Sequence, residues 1–89
     1  MQDKKMKKQE NIFLSVLTPE KTVVEVQVSK VELPASKGRF VVLRDHAPVI
    51  TSLEEGDVVY ETAGGEERLH VLIGFAEVNE NVVTVCARI

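Results

Sequence analysis

Tryptophan is absent, and the aromatic side chains amount to Phe13, Phe40, Phe75 and Tyr60. A core of stacked rings is therefore excluded. Whatever core the 89 residues form must be aliphatic, built mainly from Val, Leu and Ile. Cysteine occurs once, at Cys86, so neither an internal disulfide nor a multi-cysteine metal site can form. That thiol lies in the apolar run 82–87, where a buried, inert residue is expected. There is no excess of basic charge. The net charge of -3 argues against nucleic acid as the main partner, because phosphate binding needs a basic surface. No run is long and apolar enough to span a bilayer. The basic start lacks the apolar stretch of a signal peptide and the arginines of a transit peptide. A soluble chain that meets a membrane only through a partner is expected.

What is present is strand-forming sequence. The chain is long enough for one small domain, and 44% of its residues are hydrophobic, enough for a core with a thin stability margin. Residues 1–11 carry Lys4, Lys5, Lys7 and Lys8 against Asp3 and Glu10, a net +2 that leaves -5 for the rest. They read as a flexible lysine-rich tail, and 12–89 as the folded domain. Val and Ile dominate short runs separated by turn residues. Strands are expected at 12–17, 22–28, 31–33, 39–43, 49–53, 57–62, 68–73, 75–78 and 82–87. In the second, Val24, Val26 and Val28 share one face and Glu25 and Gln27 the other. Pro34 ends the third. Ala63-Gly64-Gly65-Glu66-Glu67 reads as a hairpin loop, with Leu69, Val71 and Ile73 on one face beyond it. No segment carries helical periodicity. The expected fold is all-β: a small antiparallel β-sandwich or flattened barrel of about ten short strands.

Catalytic chemistry needs a constellation, and none is legible. His46 follows Asp45 in a turn, but adjacent residues seldom form a dyad and no nucleophile is marked beside them. His70 reads as a half-exposed strand residue. Two histidines this far apart lack metal-ligand spacing. Gly64-Gly65 precedes a strand rather than a helix, so it offers no phosphate site. No catalytic residue, metal or cofactor is expected. The segment 44–48 has physics of its own. Ala47 precedes Pro48 and is pushed into extended geometry. Pro48 belongs at a strand start, and Asp45 tolerates a left-handed turn. Together they predict a rigid exposed corner presenting His46.

That corner also carries a resemblance. Asp45-His46-Ala47-Pro48-Val49-Ile50-Thr51, followed by Leu53 and Gly56, resembles the marker segment of the epsilon-subunit family of bacterial F-type ATP synthases. Gly74-Phe75-Ala76-Glu77-Val78 is similar to a Gly-Gly-Phe-Ala-Glu-Val strand of that family, with Ile73 in place of the first glycine, and 81–87 resembles its closing strand. Val41, Arg44 and Asp45 stand where the family commonly has Gly, Pro and Gly. Lys37 and Arg39 stand where many members have acidic or small residues. Many members continue into two C-terminal helices, whereas the present sequence stops at Ile89, after the last strand.

The resemblance implies a non-catalytic rotor part, without cofactor, peripheral to the cytoplasmic face of a bacterial membrane. It implies two partners: the gamma shaft, touched by Asp45, His46, Ala47, Pro48 and Thr51, and the membrane c-ring, touched by Ser36, Lys37, Gly38 and Arg39. From the residues alone, a stand-alone ligand- or peptide-binding sandwich is the other reading.

Overall fold

The computed structural model describes residues 11–89, so the lysine-rich start lies outside the described residues but for Asn11. Nine strands follow in order: β1 (Ile12–Leu17), β2 (Thr22–Val28), β3 (Lys30–Leu33), β4 (Phe40–Val42), β5 (Val49–Leu53), β6 (Gly56–Thr62), β7 (Gly65–Val71), β8 (Ile73–Asn79) and β9 (Val82–Arg88). They form two sheets, of order β2-β1-β9-β8-β5 and β4-β3-β6-β7. Two separate sheets make this a sandwich and not a barrel.

Alternation builds the core. Ile12, Leu14 and Val16 of β1 point inward beside Val83, Val85 and Ala87 of β9 and Ala76 and Val78 of β8. Val31, Leu33, Val42, Val58, Tyr60 and Val71 face them from the other sheet. No polar or charged side chain is buried among the described residues, so the interior is held by aliphatic burial. Tyr60 reaches its rim, and desolvation, helped by the charge of Glu67, raises its phenol above the ordinary value.

The structure departs from the sequence reading at three places. First, β1 and β9 run parallel, so the larger sheet is mixed. Side-chain alternation is the same for either direction, so periodicity carries no sign of it. Second, the β6–β7 loop is only Ala63-Gly64, with Thr62 paired to Gly65. Gly65 has φ 122°, and the Thr62 hydroxyl accepts from Gly64 N at 3.0 Å and donates to Gly65 O at 3.1 Å. Third, the strand expected at 68–73 breaks at Leu72, where the chain crosses between sheets. The crossing resets the alternation, so Ile73 is 62% exposed instead of sharing the buried face of Val71.

Candidate functional site

The corner forms as expected. His46 N donates to Leu43 O at 3.1 Å, and Asp45 takes φ 65°, the left-handed third position of that turn. Its fixity comes from a distant partner. Asp45 N donates to Asn81 Oδ1 at 2.7 Å, and Asn81 Nδ2 donates to Asp45 Oδ1 at 3.1 Å. This reciprocal pair ties the corner to the β8–β9 turn, where Glu80 and Asn81 both have positive φ. Asp45→Val should therefore cost about 2 kcal/mol, through left-handed strain and lost bonds, and lower the melting temperature by roughly 10 °C. Asp45→Asn should melt close to the parent.

His46 is not displayed as expected. It is half-buried, its ring 5.9 Å from that of Phe40. Nδ1 donates to Ala47 O at 2.7 Å, which places a proton on that nitrogen. The Asp45 carboxylate turns to Asn81 and Arg44, so the adjacent acid–histidine pair does not form. Thr51 is half-buried on the inward side of β5. Its neighbour Ile50 points outward and, at 72%, is the most exposed large hydrophobic residue described. Ile50 is the residue that the sequence reading missed. Alternation back from buried Leu53 puts Thr51 and Val49 on the inward face and so turns Ile50 out, a signal the sequence already carried.

The 36–39 loop stands across from β5. Gly38 N donates to Ala35 O at 2.9 Å, and Gly38 has φ 124° with open space around it. Ser36 N donates to Ser52 O at 3.0 Å, and Ser52 Oγ donates to Ser36 Oγ at 2.9 Å. These bonds and the Ala35–Leu53 bridge stitch the loop to β5. Lys37 is exposed. Arg39 is spent within the molecule: Nη2 donates to Asp57 O at 2.9 Å and lies 3.5 Å from Glu32. A groove of about 610 Å³ results, bordered by Ser36, Lys37, Phe40, His46, Ile50 and Thr51. It brings members of both expected contact sets to one place, while Asp45, Ala47 and Pro48 lie outside its lining and are exposed.

A second apolar patch of about 480 Å³ lies on the outer face of the larger sheet, around Leu17, Ile73, Phe75 and Cys86. Cys86 is half-buried there, between its cross-strand neighbours Leu17 and Phe75, and not in the core as expected. β9 presents Val85 and Ala87 inward, so parity turns Cys86 out. Both imidazoles are engaged elsewhere: His46 with Ala47 O, His70 with Asp57 and Glu55. Among the described residues no group of three His, Cys, Asp or Glu side chains is placed to hold a metal ion, and no helix is long and apolar enough to cross a membrane.

Two sheets packed over an aliphatic core, with no helix among the described residues, define a class, the small all-β sandwich domain. Within it the family is shown by sequence. Residues 11–89 match the family of the ATP synthase delta/epsilon chain β-sandwich domain, and the chain belongs to that family. It is 49% identical over 79 residues to an ATP synthase epsilon chain of Desulforapulum autotrophicum, covering 88% of this chain and 58% of that one. Over 76 residues it is 42% identical to one of Anaeromyxobacter dehalogenans, covering 85% and 58%. The chain thus spans somewhat under two thirds of the length of these relatives. In shape it matches a chain of the Euglena gracilis mitochondrial ATP synthase with a TM-score of 0.81 at 23% identity, covering 89% of this chain and 51% of that one. A chain of the Tetrahymena thermophila central stalk and c-ring matches with 0.73 at 13%, covering 93% and 67%. At these identities the likeness concerns the fold.

Proposed function

We propose that the chain is a non-catalytic part of the ATP synthase rotor, peripheral to the cytoplasmic face of a bacterial membrane, where it joins the gamma shaft to the c-ring. The single observation that carries this reading is the pinned corner beside Ile50, set in a chain of this family. Torque passes through a joint only if the joint does not yield. A close-packed sandwich resists deformation, and the Asp45–Asn81 pair removes the freedom a surface turn would otherwise keep. An exposed isoleucine beside such a corner suits the centre of a protein interface. We assign Asp45, His46, Ala47, Pro48 and Ile50 to the gamma side. Thr51 then supports Ile50 from the inner face of β5. Ser36, Lys37 and Gly38 are assigned to the ring side, with Arg39 bracing that loop from behind. The chain brings no cofactor and performs no chemical step itself.

The ring assignment is tested at Lys37, because reversing Arg39 would also break its bonds to Glu32 and the Asp57 carbonyl. Lys37→Glu in the assembled complex should reduce proton-driven ATP synthesis several-fold while leaving the melting temperature of the isolated chain within a degree or two. Unchanged synthesis with normal complex yield removes Lys37 from the ring contact. A stand-alone ligand-binding sandwich would instead show a chain that never co-purifies with gamma.

A further inference from the structure

The outer face of the smaller sheet holds a charged cluster that the docking assignment does not use. His70 on β7 stands opposite Asp57 on β6 in the hairpin register. Its Nδ1 lies 2.8 Å from Asp57 Oδ1, and its Nε2 lies 3.0 Å from Glu55 Oε2. Both acceptors are carboxylate oxygens. A neutral imidazole carries one N–H, so it can satisfy only one of them, and its other nitrogen would turn a lone pair toward a negative charge. The arrangement as it stands therefore requires the imidazolium.

What the clamp grips matters as much as its charge. Glu55 belongs to the tight 54–56 turn, made of the two-residue connection Glu54-Glu55 between β5 and β6 and the first residue of β6. Glu54 N donates to Pro34 O at 2.9 Å, and a methyl group on Gly56 would come within 2.8 Å of the Pro34 ring. Arg39 Nη2 meets the Asp57 carbonyl. The clamped residues thus meet the chain on either side of the 36–39 loop: the turn meets Pro34 just before it, and Asp57 holds Arg39 at its end.

We propose that His70 is a proton-operated clamp: charged, it pins Glu55 and Asp57 together and holds the 54–56 turn against Pro34 and the 36–39 loop; neutral, it releases Glu55, and that turn and loop loosen. Glu55 is the arm that leaves, because Asp57 keeps Arg68 Nη1 at 3.2 Å on its other oxygen. The other charges of the same face are Glu66, 3.4 Å from Arg68 Nη2; Glu32, 3.5 Å from Arg39 and 4.0 Å from Lys30; and Glu61, opposite Lys30 in the β3–β6 register.

The direction in pH follows. The hydrogen bond to Asp57, then that to Glu55, raises His70 above its ordinary 6.5, against a smaller opposing desolvation. The hydrogen bond from His70 is the main cause lowering Asp57 below 3.8. A raised histidine stabilises fully below 6.5, and that contribution is lost as pH climbs through the raised value. A lowered carboxylate contributes above 3.8 and is lost in acid. The clamp is closed between those limits and opens on the alkaline side.

Nuclear magnetic resonance on the 89-residue chain tests this with two readouts. The His70 ring should titrate above the ordinary histidine value, and in Asp57→Asn and Glu55→Gln it should fall back toward it. The protection factor of the Glu54 amide, corrected for intrinsic exchange, should drop by about two- to fivefold across the same titration. Glu55→Gln should flatten that step, because an amide can offer its oxygen or its nitrogen and so keeps contact with either form of the ring. This variant alters only an exposed turn, so folding does not confound it. A His70 ring titrating at the ordinary value, or a Glu54 profile that is the same in the parent and in Glu55→Gln, overturns the proposal.

Discussion

Gly74→Ala is expected to cost about 2–4 kcal/mol and to lower the melting temperature by roughly 10–25 °C, the largest effect of any single added methyl group in the chain. Gly74 sits within β8, paired with Ala87 of β9. A Cβ placed there would lie 2.2 Å from the Cys86 carbonyl oxygen and 2.7 Å from both Cα and Cβ of Ala87. Two of these atoms are backbone, so no side chain can rotate away. β8 and β9 are interior strands of the larger sheet, and prising them apart strains the ladders on either side. A domain of this size has a margin of about 5–10 kcal/mol, so the variant should still fold in the cold and be largely unfolded well below the parent's midpoint. The control is Gly38→Ala, whose added methyl meets nothing within 4 Å and whose cost is the left-handed backbone alone, about 1 kcal/mol. Thermal denaturation followed by circular dichroism separates the two. Equal losses at both positions would remove close strand approach as the role of Gly74.

The second large effect concerns binding. Ile50→Asp should weaken association with the gamma subunit at least tenfold, as loss of an apolar anchor does, and leave the fold unchanged. Ile50 is already in solvent in the isolated chain, so replacing it removes no core contact. Its strand is held by pairing with β8, where Ile50 stands opposite Glu77. The comparison is Thr51→Val, which alters the inner side of the same strand. It should leave the affinity within about threefold. Titration calorimetry or surface immobilisation of gamma supplies the numbers. If Thr51→Val were the damaging change and Ile50→Asp the silent one, the strand would present its opposite face to the partner.

Much of this architecture was legible in the residues. β1, β2 and β5 lie where Val and Ile runs bounded by turn residues put them, because period two and turn chemistry are local signals. The left-handed Asp45 was legible for the same reason. What escaped depends on events between strands. A loop read as 63–67 is three residues longer than Ala63-Gly64, and that error shifts every pairing of the hairpin. With the true register, His70 faces Asp57, and the charged cluster could have been anticipated. Glu66 and Glu67 misled because acidic residues suggest a loop, whereas here they line an exposed edge strand, where charge guards against further pairing. Ile73 was placed on one face with Val71 because alternation was carried across a sheet crossing, and Cys86 was expected in the interior because an apolar run was taken as buried. The Asp45–Asn81 pair joins turns thirty-six residues apart and had no local signal at all.

The chain's part in coupling is tested most directly by removing it. In membranes of the source organism lacking this polypeptide, proton-driven ATP synthesis should be abolished or reduced to a few per cent. Supplying the parent chain should restore it, and supplying Ile50→Asp at the same level should not. Full ATP synthesis in the membranes without the polypeptide would contradict the account.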